Sequence, residues 1–473
     1  RMHQESPEAE LESIIRMMAK QGSPDSAILS QVYGAIGEIC IQLKELPQAE
    51  AYLKKSIDVA VKTNDDAVLW RDYTNMARAP LAQGLPATES LTSAASHFRS
   101  PQAGAFFTAE HNPFPATRDE LASELVSMLL SANMLEQAFI TAEQLKEEAF
   151  ITEWQKNSGE VKSADRELYN DLVIERAHLH AAEASRTPNH MLGRWQDWMR
   201  RHQLLAADNR ELARLISPVP LNLQELVGKA QSNQVTILDY LIGPKLSFVF
   251  TIDRQGRLSA AKLGVTRDQL KAQVNAMHQA SAKSGPEARA AEKRLLQALY
   301  NELLPEHVQK FMPQNPDQLV AIVPDSVLFN LPFAALVDNQ GRYVVESHTL
   351  TTLPAVLSFM DNGVTYSADQ SIVFNAGNEN QGSRESAEAG EIAQLFQPDQ
   401  VLKLVGKDSD ISQLQEQAKV SNPVLHFSAP FLLQDNNLFK ASLPMQVASG
   451  TTPAEKRVSA DTLFRSTLPS DLA

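Results

Sequence analysis

One stretch, residues 319–346, constrains the fold of this chain more than any other. It begins with the apolar run LVAIV, which is too short for a helix and rich in β-branched residues. Such a run predicts a strand that is buried on both faces. Pro324, Asp325 and Ser326 end this strand, and the turn residues Asn-Gln-Gly at 339–341 lead into a second predicted strand, YVVE. We therefore expect a sheet with this stretch at its centre.

The first half of the chain has the pattern of paired helices. In residues 27–60, large and small residues recur at helical spacing on two successive faces. These residues are Tyr33, Ile36, Gly37, Cys40, Ala49, Leu53 and Ser56. The alternation matches the tetratricopeptide consensus, in which Gly37 and Ala49 stand where two helices pack closely.

Two further pairs follow with less regular patterns. The pair at about 68–92 contains Pro80, which is expected to break a helix at that point. Residues 96–120 contain several prolines and predict an insertion loop. The pair at 121–150 repeats the packing scheme through Leu125, Val126, Leu129, Ala138, Ala142 and Leu145. We expect a helical solenoid over residues 1–160 and long connecting helices over residues 161–216.

The pattern changes from helical to alternating after the proline-rich segment at 217–226. Two strands are predicted around the turn Gly-Pro-Lys at 243–245, with a second turn at 255–256 and helices at about 267–283 and 287–303. The last domain is therefore predicted to span residues 217–473.

Strands and helices alternate again towards the end of the chain. Strands are predicted at SIVFN, VLKL and PVLHF, and the intervening helices at 384–397 and 410–418. In the first of these helices, Ala387, Ile392, Leu395 and Phe396 are expected to face inward. Crossovers of this length imply a largely parallel sheet, whose ligands bind beyond the carboxyl ends of the strands. The predicted rim of this cleft consists of Pro324, Asp325, Ser326, Ala376, Gly377, Asn378, Ser428 and Ala429.

The order of these motifs resembles the CHAT domain, a caspase-like cysteine peptidase domain found attached to tetratricopeptide repeats. The resemblance is carried by the Asp-Tyr-Leu-Ile-Gly hairpin, the motif LYNELL, the strand ending in Val-Pro-Asp, and Leu-Pro-Phe-Ala-Ala-Leu. It covers about residues 220–473. It implies an α plus α/β protein, in which an α-solenoid precedes a caspase-like, mainly parallel sheet with a leading β-hairpin.

The resemblance also implies where catalytic residues would lie, and the sequence departs from the family there. The family pattern is His, apolar, small, small, His-Gly, and its second histidine is catalytic. This chain has His426-Phe427-Ser428-Ala429-Pro430-Phe431, so Pro430 takes the catalytic position and cannot transfer a proton. The family's nucleophilic cysteine is expected after Ala473, where the sequence ends.

No other residue replaces the missing base and nucleophile. His426 stands four residues before Pro430, about 13 Å away along a strand, whereas a general base acts at about 3 Å. We therefore predict that His426 is structural and donates to a carbonyl group. Ser326 and Ser428 are predicted to be turn residues, Asp325 a turn cap and Cys40 a core residue.

Composition excludes other classes of function. A net charge of −14 argues against a nucleic-acid or anionic membrane surface, and no phosphate-binding loop or GxSxG motif is present. His178 and His180 cannot share an ion on one helix, and Trp195 and Trp198 are expected to pack between helices. We predict no metal and no cofactor. The single cysteine favours a reducing, cytoplasmic setting, and the oligomeric state stays undefined.

Three hypotheses remain. The first is a protein-binding regulatory module that takes a protein or peptide on its solenoid and carries an inactive caspase-like domain. Glu385, Glu388 and Glu391 share a helical face that is expected to be solvated or to bind a basic peptide. The second hypothesis is a cysteine endopeptidase whose nucleophile follows residue 473 and whose base is a residue that the motif does not identify. The third is a structural scaffold in which the predicted rim residues do not converge.

Overall fold

The chain forms two compact units in the computed structural model. The structure describes residues 13, 26–100, 117–157, 166–185, 191–353, 355–360, 371–375, 384–405, 424–428, 432–434, 437–444 and 457–459. The first unit comprises Arg1–Ile151 and Glu167–Met360, and the second comprises Thr152–Arg166 and Asp361–Ala473. Helices lead the chain, and a mixture of antiparallel and parallel strands follows with further helices between them. This confirms the predicted α plus α/β class.

The first helical pair consists of α1 (Ser26–Gln42) and α2 (Leu46–Thr63). Gly37 lies at the closest approach of the two helices, since a Cβ there would come within 2.7 Å of Leu53 Cγ. A larger side chain would push the helices apart. Cys40 and Ala49 are buried beside this contact, so the predicted packing positions of the pair are confirmed.

The second pair consists of α3 (Asp66–Ala82) and α4 (Thr88–Phe98). The expectation that Pro80 would break a helix is wrong, because α3 continues through Pro80 and ends at Ala82. The N–H that proline lacks is lost only in the last turn of the helix, where it costs little continuity. The carbonyl of Pro80 still accepts the N–H groups of Gln83 and Leu85.

The third pair consists of α5 (Arg118–Ser131) and α6 (Leu135–Asn157). Thr117 and Glu120 form a reciprocal capping box that fixes the start of α5. All six predicted core positions of this pair are buried, namely Leu125, Val126, Leu129, Ala138, Ala142 and Leu145. Most of the predicted insertion loop, residues 101–116, lies outside the described residues.

Three helices, α7 (Arg166–Ser185), α8 (Met191–Asp208) and α9 (Arg210–Arg214), follow the pairs. Trp195 and Trp198 are buried, and the Trp198 indole donates to the carbonyl of Leu172 at 2.8 Å. The ring of His202 stacks on Trp198 at 5.0 Å between centroids. These indoles therefore serve helix packing, as predicted.

A five-stranded mixed sheet forms the rest of the first unit. Its strands are β1 (Thr236–Ile242), β2 (Ser247–Ile252), β3 (Leu258–Leu263), β4 (Leu319–Val323) and β5 (Thr349–Thr352), in the order β3-β2-β1-β4-β5. The first three are antiparallel, whereas β4 runs parallel to β1 and β5. The accompanying helices are α10 (Leu223–Ser232), α11 (Arg267–Ser281), α12 (Pro286–Leu303), α13 (Glu306–Gln309) and α14 (Val356–Met360). The hairpin, both long helices and the LVAIV strand lie where the sequence predicts them.

The helical pairs and the sheet share one hydrophobic core. A single buried cluster joins Trp70 and Leu125 from the helices with Phe250 and Ala321 from the sheet. Phe139 packs edge-to-face on Phe250 at 5.4 Å between ring centroids. A second cluster covers the opposite face with residues of α11 and α12. Removing the helical pairs would therefore expose one face of the sheet to water.

The prediction that YVVE forms a strand is wrong. Val344–Glu346 is a 3₁₀ helix, and the next strand is β5. Two contacts curl the segment: the Val344 N–H donates to the Leu336 carbonyl, and the Glu346 carboxylate accepts the Tyr343 N–H at 2.8 Å. These local bonds compete with a strand ladder.

The described residues of the second unit form two three-stranded sheets. One has the parallel order β7-β6-β8, formed by β6 (Ser371–Asn375), β7 (Val401–Val405) and β8 (Val424–Phe427). The other is antiparallel and consists of β9 (Leu432–Gln434), β10 (Asn437–Pro444) and β11 (Arg457–Ser459). All three predicted strands of the parallel sheet are present. The predicted helix at 410–418 lies outside the described residues.

The helix α15 (Arg384–Ala393) packs on β6 with a face that agrees only in part with the prediction, since Ile392 packs against the buried cluster as predicted. Ala389 and Ala393 are buried against Val373, whereas Ala387 is exposed and Leu395 is 79% exposed. The helix ends at Ala393, so Leu395 lies in the following turn and leaves the apolar stripe. The prediction that Ala387 and Leu395 face inward is therefore wrong.

The first two helical pairs also enclose a cluster of charged side chains. The Arg71 guanidinium donates to the Glu38 carboxylate at 2.7 Å, and each side chain is 1% exposed. Asp72 is fully buried close to Gly34, where a Cβ would come within 2.7 Å of its carboxylate. Burial raises the pKa of the Asp72 carboxyl to about 7, against the attraction of Arg71.

Stability should therefore depend on the protonation of Asp72. Because the folded state holds this proton more tightly than the unfolded state, its contribution to stability falls as the pH rises from the unfolded pKa of 3.8 to about 7. Asp72→Asn removes the ionisable group. In urea titrations, its stability relative to the unsubstituted protein should rise by about 3 kcal/mol between about pH 5 and about pH 8. A constant difference across this range would contradict the assignment.

Candidate functional site

The carboxyl ends of β1 and β4 lie side by side in the first unit. Asp239 of β1 is in register with Val323, the last residue of β4. Asp325 follows Val323 after one proline, and its Oδ2 accepts the backbone N–H of Ile242 at 2.6 Å. Ser326 has a φ of 53°, in the left-handed region, and starts a 3₁₀ turn. Asp325 was expected to cap its own turn, but its carboxylate instead ties the end of β4 to the end of β1.

A lysine from the helical pairs reaches the same strand. Lys146 on α6 forms ion pairs with Asp239 on β1 and with Glu143 one turn earlier on its own helix. The exposed fractions of these side chains are 13% for Lys146, 2% for Asp239 and 7% for Glu143. One ammonium group therefore holds two carboxylates at the junction between the helices and the sheet.

The charges within this cluster set its protonation. Burial alone would lower the pKa of Lys146, but the attraction of Asp239 and Glu143 outweighs it and raises the pKa. Burial raises the pKa of Asp239, and the neighbouring charge of Glu143 raises it further. Removal from water likewise raises the pKa of Asp325, against the attraction of Lys146. Because Lys146 stays protonated at neutral pH, it cannot act as a base and instead fixes α6 on β1.

Arg267 extends these contacts to a third helix. Its Nε donates to the Ile242 carbonyl at 3.0 Å, and its Nη2 lies 3.2 Å from the Asp119 carboxylate at the start of α5. Helices α6 and α11 thus contact β1 near its carboxyl end, and α5 is linked to the same place through Arg267. Any movement of the helical pairs would disturb the strand end where the cleft is predicted.

His426 lies at the end of β8 in the second unit. Its Nε2 is 3.0 Å from Ser428 Oγ and 3.5 Å from Glu388 Oε1. The predicted carbonyl partner is replaced here by a hydroxyl and a carboxylate. Catalytic triads place the acid and the nucleophile on opposite ring nitrogens, whereas both groups here face the same nitrogen. Ser428 is also only 1% exposed, so its hydroxyl is buried in this arrangement.

The structure describes only part of the predicted rim. Pro324, Asp325 and Ser326 lie together in the first unit, and Ser428 lies beside His426 in the second. The remaining residues, Ala376, Gly377, Asn378, Ala429 and Pro430, lie outside the described residues. Whether the rim converges therefore stays a prediction.

Neither a metal site nor a membrane-spanning helix is found in the described ranges. Within them, no group of three or more histidine, cysteine or acidic side chains is arranged to hold a metal ion. Cys40 is buried between α1 and α2. Among the helices that the structure describes, none combines the length and apolar character needed to cross a bilayer.

Sequence reasoning missed the Lys146 cluster. Lys146 and Glu143 lie on a charged helix that resembles any solvated one, and their partner is distant in the chain. The available signal was Asp239, a carboxylate inside the otherwise apolar strand TILDYLI. A charge in such a strand requires a partner of opposite sign.

Comparison with known proteins agrees with this architecture. The family model of the CHAT domain matches residues 293–473. The match begins within α12 and includes β4, β5 and the whole parallel sheet of the second unit. It relates this part of the chain to the caspase-like peptidases. No curated protein matches the chain.

Proposed function

We propose that this chain is a protein-binding regulatory module whose caspase-like domain does not catalyse peptide hydrolysis. The observation that carries the proposal is Pro430, which stands where the CHAT pattern places its catalytic histidine. A pyrrolidine ring has no ionisable nitrogen within a peptide chain and cannot exchange a proton with a thiol. The contacts of His426 with Ser428 and Glu388 support a structural role for the one histidine nearby.

The helical pairs supply a surface suited to a protein or peptide. Tyr33 and Tyr52 are half-buried neighbours on α1 and α2, with their ring centroids 6.3 Å apart. The ammonium of Lys55 lies 4.9 Å from the centre of the Tyr52 ring. Tyrosine is enriched at protein interfaces because its ring combines apolar area with a polar end. We infer that a partner polypeptide contacts this aromatic surface, which we define as Tyr33, Tyr52 and Lys55.

Binding can be tested without deleting the helices, whose removal would expose the sheet. In capture experiments, full-length protein carrying both Tyr33→Ala and Tyr52→Ala should bind the partner polypeptide at least about tenfold more weakly. The reason is that aromatic anchors dominate interface energies. Lys54→Ala on the same helix is the control, since Lys54 is 62% exposed and its ion pair is with Glu50 on the same helix. Equal capture by the double variant and the control would refute this binding surface.

A further inference from the structure

Two turns in the first unit share a sequence and a geometry. They are Asp253-Arg-Gln-Gly-Arg257 and Asp338-Asn-Gln-Gly-Arg342. In each, one aspartate oxygen accepts the N–H groups of the glutamine and the last arginine. The other oxygen accepts the arginine Nε, at 2.6 Å in the first turn and 3.0 Å in the second. The glycines have φ values of 76° and 79°, which favour glycine.

The two turns differ in what surrounds the arginine. Arg342 also places its Nη2 2.9 Å from the Asp338 carboxylate, so both sides of its fork are used. Arg257 contacts its aspartate through Nε alone, and its Nη groups have no acceptor among the described residues. Its guanidinium carbon lies 5.7 Å from the centre of the Phe311 ring. The Arg257 side chain, 69% exposed, therefore presents two donors above an aromatic face.

These donors line a pocket of about 430 Å³ between the first turn and the segment that follows α13. Arg254, Arg257 and Lys310 are its cationic lining residues, and the buried residues Met312 and Pro313 also line it. The second turn has asparagine in place of Arg254, so the turn itself does not require that arginine.

The charge around this pocket is opposite in sign to the net charge of the whole chain. Three cations line it, and the only acidic lining residue is Asp253, whose carboxylate is 2% exposed and already bonded within the turn. Glu306 stands outside the lining, 86% exposed, and pairs with Lys310 at 3.1 Å. A local positive excess on a chain of net charge −14 attracts anions.

We propose that this pocket binds a small ligand through an oxyanion, either a phosphate or a carboxylate group. Arg257 supplies the planar fork that matches two oxygens of such a group, and Arg254 and Lys310 add charge. A stacked nucleobase fits poorly, because the guanidinium already lies over Phe311 and the His307 ring packs against it at 5.2 Å. The first turn follows Ile252, which pairs with Ile237 near the start of β1. The pocket therefore lies at one end of β1, and Asp325 lies at the other end. It is a function beyond the proposed binding of a partner polypeptide.

Isothermal titration of the full-length protein with inorganic phosphate and, separately, with succinate tests this proposal. Sodium chloride holds the ionic strength constant, because screening alone weakens surface charge interactions. We expect saturable binding of at least one of the two anions. The anion that binds more tightly shows whether the pocket takes a phosphate or a carboxylate group. The double variant Arg254→Gln/Lys310→Gln should bind it at least about tenfold more weakly, since each cation contributes a charge-assisted hydrogen bond.

Arg342→Gln provides a matched control. It breaks the equivalent aspartate–arginine pair of the second turn, Asp338–Arg342, which does not line the pocket, so the anion affinity of this variant should stay within about twofold of the unsubstituted protein. Arg257→Lys keeps the charge and removes the fork, and should weaken binding by an intermediate factor. Absence of saturable binding for both anions would overturn the proposal. So would equal affinities of the double variant and the unsubstituted protein, or equal losses in the double variant and Arg342→Gln.

Discussion

Replacement of Lys146 by methionine is expected to lower the free energy of unfolding by about 3–5 kcal/mol, because it leaves buried carboxylates without their cation. Methionine fills a similar volume, so the loss reports charge rather than packing. Asp239 is 2% exposed and cannot recover its hydration in the folded state. The loss should shrink as the pH falls, since the Asp239 carboxyl, whose pKa burial raises, then takes up a proton and becomes neutral.

Urea denaturation followed by circular dichroism measures this effect. Adding Asp239→Asn to the Lys146→Met variant removes one of the stranded charges and should restore part of the lost stability. Lys54→Met is the matched control, because Lys54 is 62% exposed and its pair with Glu50 is expected to contribute less than about 1 kcal/mol. If Lys146→Met destabilised no more than this control, the cluster would not join the helices to the sheet.

Arg71→Met should cause a loss of similar size, about 3–5 kcal/mol, within the first two helical pairs. Its guanidinium and the Glu38 carboxylate are each 1% exposed, so removal of Arg71 leaves the Glu38 carboxylate buried without this cation. Burial lowers the pKa of Arg71 to about 10, which keeps the group charged at neutral pH. The guanidinium of Arg71 is therefore a cation under ordinary conditions.

A double-mutant cycle separates this pair from its surroundings. Arg71→Met with Glu38→Gln should cost clearly less than the sum of the two single substitutions, since neither charge is then left alone. Arg200→Met is the control, because Arg200 pairs with Asp197 at 2.6 Å but is 73% exposed. Strict additivity in the cycle would show that Arg71 stabilises through packing alone.

Apolar periodicity predicted the elements whose partners are local or fully buried. Gly37 and Leu53 each belong to a set of residues at helical spacing within their own helix, and the two helices are neighbours. The LVAIV run was predicted as a buried strand because it is short and apolar. Pro80 misled the prediction because its effect depends on its distance from the helix end, which the pattern does not give. The YVVE segment has strand propensity, but backbone contacts with Leu336 and the Glu346 side chain curl it.

The charged clusters were less accessible to sequence reasoning, because burial of a charge is a tertiary property. Lys146 and Asp239 are 93 positions apart, and Lys146 resembles a solvated lysine until the sheet packs against its helix. The pocket beside Arg257 did have a signal, the repeated motif Asp-x-Gln-Gly-Arg. Comparing its two copies singles out Arg254 as unnecessary for the turn.

The most direct test of the central claim is turnover by the full-length protein on a diverse peptide mixture, read by mass spectrometry. The account predicts no new peptide ends above the enzyme-free blank. His426→Gln should give the same result, because His426 is engaged with Ser428 and Glu388 rather than with a substrate. Cleavage that iodoacetamide abolishes, or that His426→Gln abolishes, would contradict the loss of catalysis inferred from Pro430.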